Sequence, residues 1–413
     1  MTAVEVGLGG RVYGHLVAPD AGQWQLIPST PAPGVAMSVL HPRTAEPWSG
    51  VPMRTWFRHH LPDAGLIRPI ARKLGLSSGN ELALLAHLGG DCPGAVTFRP
   101  VGSRVPDAGS YRLFQPAELR NLPATLREAP LLAGTDGMRC LLPGERYKLP
   151  VKMDHERMLL GLDGAVSTHV LKIADEGLRE HSTNEYFSMR LARCAGLEVP
   201  AVEIPAGLDH LLLVERIDRV VTSSGEVTML HLEDFAQVWS SDPECRYERE
   251  GGPGIAACVE ILRRYSTSPV LDLRALLCWI IFGYFVGFGL GHARQLTLRH
   301  APDGPRLGPF FGIWSSHVYS PMNGRLAMAI GREDRPDWLI GARWRDLAHQ
   351  VGVRPAYVLE LLARFARELP ESVEKVLDEL PADRRGAGVL QDIRALVSKR
   401  ARQTLVSLAA ERG

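Results

Sequence analysis

The chain has 413 residues, 45% of them hydrophobic, so it has length for two or three domains and apolar content for a sizeable core. Its 47 Lys+Arg against 46 Asp+Glu leave a formal charge of +1, so no overall field draws it to nucleic acid or to an anionic membrane; binding a duplex would need a local basic patch. Six cysteines, at 92, 140, 194, 245, 258 and 278, form no C-x-x-C pair and show no metal-ligand spacing with histidine, the pattern of reduced thiols in a cytosolic protein.

From the N-terminus, "MTAVEVGLGGRVYGHLV" lacks the basic start and continuous apolar run of a secretion signal, so a cytoplasmic location is expected. Residues 1–103 form a first region, rich in Pro and Gly, in which strand-like "GRVYGHLV" and "GAVTF" surround helical "TWFRHHLPDAGLIRPIARKLGL" and "SGNELALLAHLGG". A second region, 104–230, has short strand-like runs ("MRCLLPG", "HVLKIAD", "AVEIPAG", "HLLLVERID") around one helix, "STNEYFSMRLARCAGL", with Ser182 and Thr183 as cap signals and Gly196 as its stop. The third, 231–413, reads as all-helical: "HLEDFAQVW", "GIAACVEILRRY", "LRALLCWIIFGYFVG", "AYVLELLARFARELP" and "VLQDIRALVSKRARQTLVSLAAE". In the fourth of these, Val358, Leu361, Leu362, Phe365 and Leu369 recur at the spacing of a core-facing helix stripe.

From Ala275 to Gly291, 17 residues pass without a charge, just under a usual membrane span. Four glycines in the second half (Gly283, Gly287, Gly289, Gly291) point instead to a buried helix running into a glycine-rich loop, and no membrane association is expected. That loop, "GLGHARQ", carries His292 and Arg294 but no carboxylate.

A β-rich segment with one helix, followed by a larger helical segment, is the order of parts in a protein-kinase-like fold. Lys172, at the end of the apolar "HVLK", costs several kcal/mol if buried unpaired. Two readings stand for it: it pairs with Glu185 in the first turn of the following helix, as the kinase lysine and glutamate do around nucleotide phosphates, or it snorkels to solvent while Glu185 serves as a helix-start acid.

Taken in order, "WFRHHLPDAGLIRPIARKLGL", "GGDCPGAVTF", "LLPGERYKL", "THVLK", "TNEYFSMRLARCAGLEVP", "LLLVERIDR", "HLEDFAQ", "YEREGGPGI" and "GHARQLTL" resemble the HipA family, the serine/threonine kinase-like toxins of bacterial toxin–antitoxin systems. The resemblance covers nearly the whole chain. It implies an α+β, protein-kinase-like two-lobed fold with an extra N-terminal α/β module and an all-helical C-terminal lobe. It also implies Lys172 as the lysine for the ATP phosphates, Glu185 as its partner, and Glu215 with Ile217 on the segment between the lobes. A small helix-turn-helix antitoxin-like protein is the implied partner, which makes any contact with DNA indirect.

The departures carry as much information as the matches. Family members usually have Ser-x-x-Gly-x-Gln-x-Lys over the phosphates, with the serine self-phosphorylated; here Leu141 takes the serine position and Arg146 the glutamine, while Gly144 and Lys148 are kept. For the family's Thr-Asp-x-His-x-Lys-Asn, this chain has Leu290 at the catalytic aspartate and Gln295 at the metal asparagine, with His292 kept and Arg294 for the lysine. Gly312 in "PFFGIW" stands where a second metal aspartate is expected. Phosphoryl transfer depends on metal ions held by such groups, and loss of a general base alone costs about 10²–10⁴-fold in rate.

The expected function is therefore a pseudokinase that binds a protein or peptide partner in or near the former ATP cleft. ATP binding stays open, Mg²⁺ is disfavoured and no cofactor is assigned. The alternative is an enzyme of another reaction class acting on a peptide or small molecule, with His292 as acid/base amid Lys172, Glu185, Lys148, Arg146 and Arg294. A weakly active kinase is the third reading, and it would need a migrated carboxylate: Asp218, Asp234, Glu233 or Glu145.

Overall fold

The computed structural model describes residues 2–20, 23–30, 36–42, 45–103, 109–320 and 324–410. By contact the chain divides into two compact units: Met1–Ile173 with Leu213–Glu244 and Arg299–Pro302, and Ala174–Leu212 with Cys245–Leu298 and Asp303–Gly413. The first unit thus takes in the whole 1–103 region together with much of 104–230.

Two sheets organise the first unit. In one, Trp48–Ser49, Gln23–Pro28, Arg11–Asp20, Thr2–Leu8 and Val96–Pro100 follow in that spatial order, with neighbours antiparallel. Alternation puts Val4, Val6, Leu8, Trp24 and Leu26 inside, and the helices Val51–Arg58 and Glu81–Leu88 cover them with Trp56, Phe57, Leu84 and Leu85. Gly14 is required by close approach, since a Cβ there would lie 2.2 Å from the Ile27 carbonyl oxygen. In the other sheet, Leu211–Glu215, His169–Ile173, Lys148–Asp154, Arg157–Leu162 and Ser110–Leu113 are consecutive neighbours. "MRCLLPG", expected as a strand, is irregular: Cys140 makes a single bridge with Asp91, and the Leu141 N–H donates to the Asp91 carbonyl at 2.9 Å.

The second unit is mostly helical. Pro269–Val286 is apolar on all sides, with a mean hydropathy of 1.7 over 18 residues, enough by length and composition alone to cross a membrane. It instead packs against the helices Ile255–Tyr265, Pro355–Glu379 and Gly388–Ala410, the behaviour of a core helix.

Three further details differ from the sequence reading. The third region is not all-helical, because Leu232–Asp234, Thr297–Ala301 and Gly304–Leu307 are strands; Asp303-Gly304, with Gly304 at φ +111°, is a hairpin signal hidden among helical patterns. The Pro355–Glu379 helix continues through Pro370, whose missing N–H removes one bond while Leu369, Val373 and Val376 stay buried. The helix His181–Cys194 begins before Ser182 and Thr183: Glu180, at φ +51°, is the cap residue, so Glu185 lies in the second turn rather than the first.

Candidate functional site

The expected site residues fall into two groups, one in each unit, so Lys172 and its expected partner Glu185 belong to different units. In the first unit, Lys148 and Lys172 are cross-strand partners on adjacent antiparallel strands, both half-buried. Directly opposed residues share a face, and like charges there destabilise the sheet, so the pairing is an arrangement suited to an anion. The Lys148 ammonium donates to the Pro143 carbonyl. Gly144 beside it has φ +108°, a backbone conformation that favours glycine. Leu141 is fully buried, Arg146 half-buried and Glu215 exposed at its strand's end.

Three of the four candidate rescue carboxylates are committed elsewhere. Asp218 is enclosed with Asp91, Arg216 and Arg219, all buried: Arg216 donates to it at 2.9 and 2.8 Å, Arg219 reaches Asp91 at 2.7 Å, and the Gly94 N–H adds a bond of 2.6 Å. Burial pushes its carboxyl up, yet the two guanidiniums prevail and hold it at about 2. Glu233 is fully enclosed and accepts from Ser38 Oγ at 2.7 Å, Val39 N at 2.9 Å and Trp56 Nε1 at 2.7 Å, with His300 Nε2 at 2.9 Å. Burial again opposes ionisation there, and His300, His231 and Ser38 keep the carboxyl below its ordinary range. Asp234 caps the short helix Phe235–Trp239, accepting from Gln237 N at 2.7 Å. Glu145 is exposed.

In the second unit, the Pro269–Val286 helix ends at Gly287, φ +77°, and the chain turns into the loop. The Gly287 carbonyl accepts from Ser316 N at 2.9 Å and His317 N at 3.2 Å, and the Gly289 N–H donates to Ser316 Oγ at 3.0 Å. Leu290, His292, Arg294 and Gln295 are all half-buried. Gln295 is used locally: its N–H donates to the His292 carbonyl at 2.9 Å, and its side-chain oxygen accepts the His292 N–H at 3.4 Å, capping the short 3₁₀ turn Ala293–Gln295. The His292 ring lies 6.1 Å from that of Tyr247. Gly312 is buried at φ +67°. A leucine, a glutamine amide used as a cap and a glycine do not suit Mg²⁺, which seeks carboxylate oxygens. Among the described residues, no three of His, Cys, Asp and Glu gather to hold a metal ion.

Glu185 is buried, 3% exposed, on a helix held in place at several points. Glu180 accepts the Val389 N–H at 2.8 Å, Arg179 meets Asp392 at 2.6 Å and Arg190 meets Glu379 at 2.7 Å. Asn184, one residue before Glu185, receives the Ser315 N–H and donates to the Ser315 carbonyl, both at 2.8 Å, fixing the segment that follows Gly312. Asn184, Ser316, His317 and Arg400 organise the surroundings of the glycine loop, and none was singled out from sequence. Arg400 donates to the Tyr284 carbonyl and, at 2.8 Å, to His317 Nδ1. The "TNEYF" stretch carried a signal for Asn184; Arg400 lies 116 residues from Tyr284 and had none.

Comparison with known proteins now decides the family. The HipA-like C-terminal domain matches residues 140–373, and the HipA N-terminal domain matches residues 4–99. The chain belongs to the HipA family. A putative kinase of Sinorhizobium fredii, Y4mE, is 33% identical over 350 residues, covering 83% of each protein. The serine/threonine-protein kinase toxin HipA of Shewanella oneidensis is 26% identical over 333 residues, covering 78% of this chain and 76% of the toxin. A solved structure of Shewanella oneidensis HipA with HipB and operator DNA superposes with a TM-score of 0.83 at 21% identity, over 98% of each chain, which establishes a shared fold. The fold is thus α+β and HipA-like, as the motifs implied.

Proposed function

We propose that this chain is a HipA-family pseudokinase, cytoplasmic and without phosphotransfer, that works by binding a protein or peptide partner in or near the former ATP cleft. The observation that supports this reading is the state of three positions together: Leu290 is apolar, the Gln295 amide is committed to the His292 N–H, and Gly312 is a buried glycine in left-handed backbone. The commitment of Asp218, Glu233 and Asp234 to their own networks removes three ready sources of a substitute carboxylate. An antitoxin-like helix-turn-helix protein is the partner class suggested by the family, with any DNA contact made through it.

Calorimetric titration of ATP with and without Mg²⁺ tests the reading. Binding that is absent, or present and indifferent to Mg²⁺, with no ADP released, is the expected result. Tight Mg²⁺-dependent binding with ADP release would overturn it in favour of a weakly active kinase. The opposed Lys148 and Lys172 favour a second reading, an anion-holding cleft reused for a different reaction on a peptide or small molecule with His292 as acid/base. Turnover lost in His292→Gln but unaffected by Mg²⁺ would support that one.

A further inference from the structure

Within the first unit, the sheet that carries Lys148 and Lys172 ends at the strand Ser110–Leu113, which pairs with Arg157–Leu162 alone. The Phe114 N–H donates to the Met158 carbonyl at 3.0 Å, and hydrogen-bonded positions alternate in an antiparallel pair, so Arg112 and Ser110 also bond toward Leu160 and Leu162. The N–H and C=O groups of Tyr111 and Leu113 therefore point outward, and none of them meets a partner among the described residues. The end of the other sheet is covered: in the strand Val96–Pro100, the Phe98 N–H donates to the Gly89 carbonyl at 2.7 Å and its carbonyl accepts from Arg139 at 2.8 Å. Ser110–Leu113 has no such cover, and no proline or register shift blunts it. Tyr111, 39% exposed, and Leu113, 44% exposed, share a sheet face with Lys152, whose ammonium lies 4.5 Å from the Tyr111 ring. The Tyr111 hydroxyl donates to the Val166 carbonyl at 2.9 Å, which fixes the ring. Lys152 has no carboxylate partner among the described residues, since Asp154 on the same strand pairs with Arg157. Arg112, on the opposite face, is neutralised by Glu118 through bonds of 2.8 and 2.9 Å.

We propose that this edge takes an extended segment of a protein partner as an added antiparallel strand, with an apolar side chain opposite Leu113 and a carboxylate opposite Tyr111, within reach of Lys152. The outward N–H and C=O groups of two alternate residues match the donors and acceptors that an extended backbone presents along one side. The ammonium of Lys152, which no carboxylate offsets, sets the charge of the occupant. Leu113 and the Tyr111 ring supply apolar surface on that face. A second copy of this chain fits less well: pairing Tyr111 of one copy with Leu113 of the other would set Arg112 directly opposite its own counterpart, and like charges so placed destabilise a ladder. The edge is two strands away from Lys148 and distinct from the glycine loop, so the inference does not depend on whether phosphotransfer survives.

The test uses the full chain and the peptide acetyl-Thr-Val-Thr-Glu-Thr-amide, with two counterparts: one with lysine for the glutamate, the other with the glutamate nitrogen methylated. Amide hydrogen exchange followed by NMR is the readout. Without peptide, the Tyr111 and Leu113 amides should exchange much faster than that of Arg112, which the ladder holds. Millimolar glutamate peptide is expected to slow both by about fivefold or more. The lysine peptide should bind about threefold more weakly, as one exposed ion pair implies. The methylated peptide, unable to donate to the Tyr111 carbonyl, should not bind. Leu113→Pro removes only an outward N–H and leaves the ladder to Arg157–Leu162 intact, so the fold should be kept while peptide binding is lost. Lys152→Met should erase the preference for glutamate over lysine. Tyr111 and Leu113 amides already protected in the free chain or unmoved by peptide, equal binding of the methylated peptide, or a glutamate preference that survives Lys152→Met would each overturn the proposal. Protection that rises with protein concentration, alongside a doubled mass in sedimentation, would give the edge to a second copy and overturn it as well. ATP titration of the same sample reads the pseudokinase proposal separately, so either can fail alone.

Discussion

Lys148 and Lys172 stand directly opposite each other on neighbouring antiparallel strands, so two ammonium groups share one face of the sheet. Such a pair is unfavourable by about 0.2–1 kcal/mol, and an anion between the two relieves it. Lys148→Met removes that repulsion together with the ammonium's bond to the Pro143 carbonyl, so stability should stay within about 1 kcal/mol of the parent, while any stabilisation conferred by phosphate or ATP should be lost. Thermal unfolding with and without 10-fold steps of phosphate would check it. A Tm rise with phosphate that survives in both Lys148→Met and Lys172→Met would show that the anion binds elsewhere.

The Asp91–Arg216–Asp218–Arg219 group is charge-balanced and buried, and it ties residues before the Val96–Pro100 strand to the segment after Leu211–Glu215. Removing one member leaves an uncompensated charge, which typically costs about 3–5 kcal/mol. Asp218→Ala should lower stability by that order in denaturant titration, and Arg216→Met with Asp218→Ala, which leaves the remaining Asp91–Arg219 pair balanced, should cost much less than the sum of the two. Additive losses would mean that the four charges do not act as one network.

Acid sensitivity follows from the buried histidines of the first unit. His231 faces His300 and Glu233 and meets the Met37 carbonyl at 2.8 Å, while His60 packs against Trp56 and lies near His231 and His59. Burial first, and neighbouring histidines next, depress His231 to about 4 and His60 to about 3. Both are neutral when folded, whereas the unfolded chain takes up protons near 6.5, so the stability they represent is present above that pH and falls as pH drops toward 4. The slope should approach about 1.4 kcal/mol per pH unit for each group. Glu233, with its folded carboxyl held low, contributes above its unfolded value near 4.5 and loses that only below it, so the window from 6.5 to 5 isolates the histidines. In denaturant titrations across that window, His231→Gln, which can still donate toward Met37, should flatten the slope by roughly one proton; an unchanged slope would assign the acid loss to other groups.

What the sequence revealed about the fold depended on the range of the physical signal. The core stripe through Val358, Leu361 and Phe365 and the loop glycines after Val286 are local patterns, and both lie where the pattern implied. The cap at Ser182 was misread because Glu180 adopts left-handed backbone, which glutamate seldom does and which no local rule anticipates. The partners of Glu233 illustrate the other limit: Ser38 and Trp56 are 195 and 177 residues away, and the buried carboxylate looked from sequence like a free candidate for catalysis. The family was legible because its motifs are dispersed but ordered, whereas the Arg400 contacts with Tyr284 and His317 that shape the loop are set by tertiary packing alone.

Installing aspartate, asparagine and aspartate at Leu290, Gln295 and Gly312 gives the sharpest test of the pseudokinase reading. Leu290→Asp places a carboxylate on a half-buried loop position, and Gln295→Asn shortens the side chain that now caps His292 N–H. Gly312→Asp must adopt φ near +67°, a conformation costing about 1–2 kcal/mol for most residues and less for aspartate. The triple variant should therefore fold with a Tm lowered by several degrees. It is expected to release no ADP from Mg·ATP above background, because Leu141 and Arg146 still replace the usual phosphate-loop residues and the loop remains fixed by Ser316, His317 and Arg400 in its present form. Sustained ADP release by the repaired chain would show instead that the cleft kept its kinase geometry and lost only the three side chains.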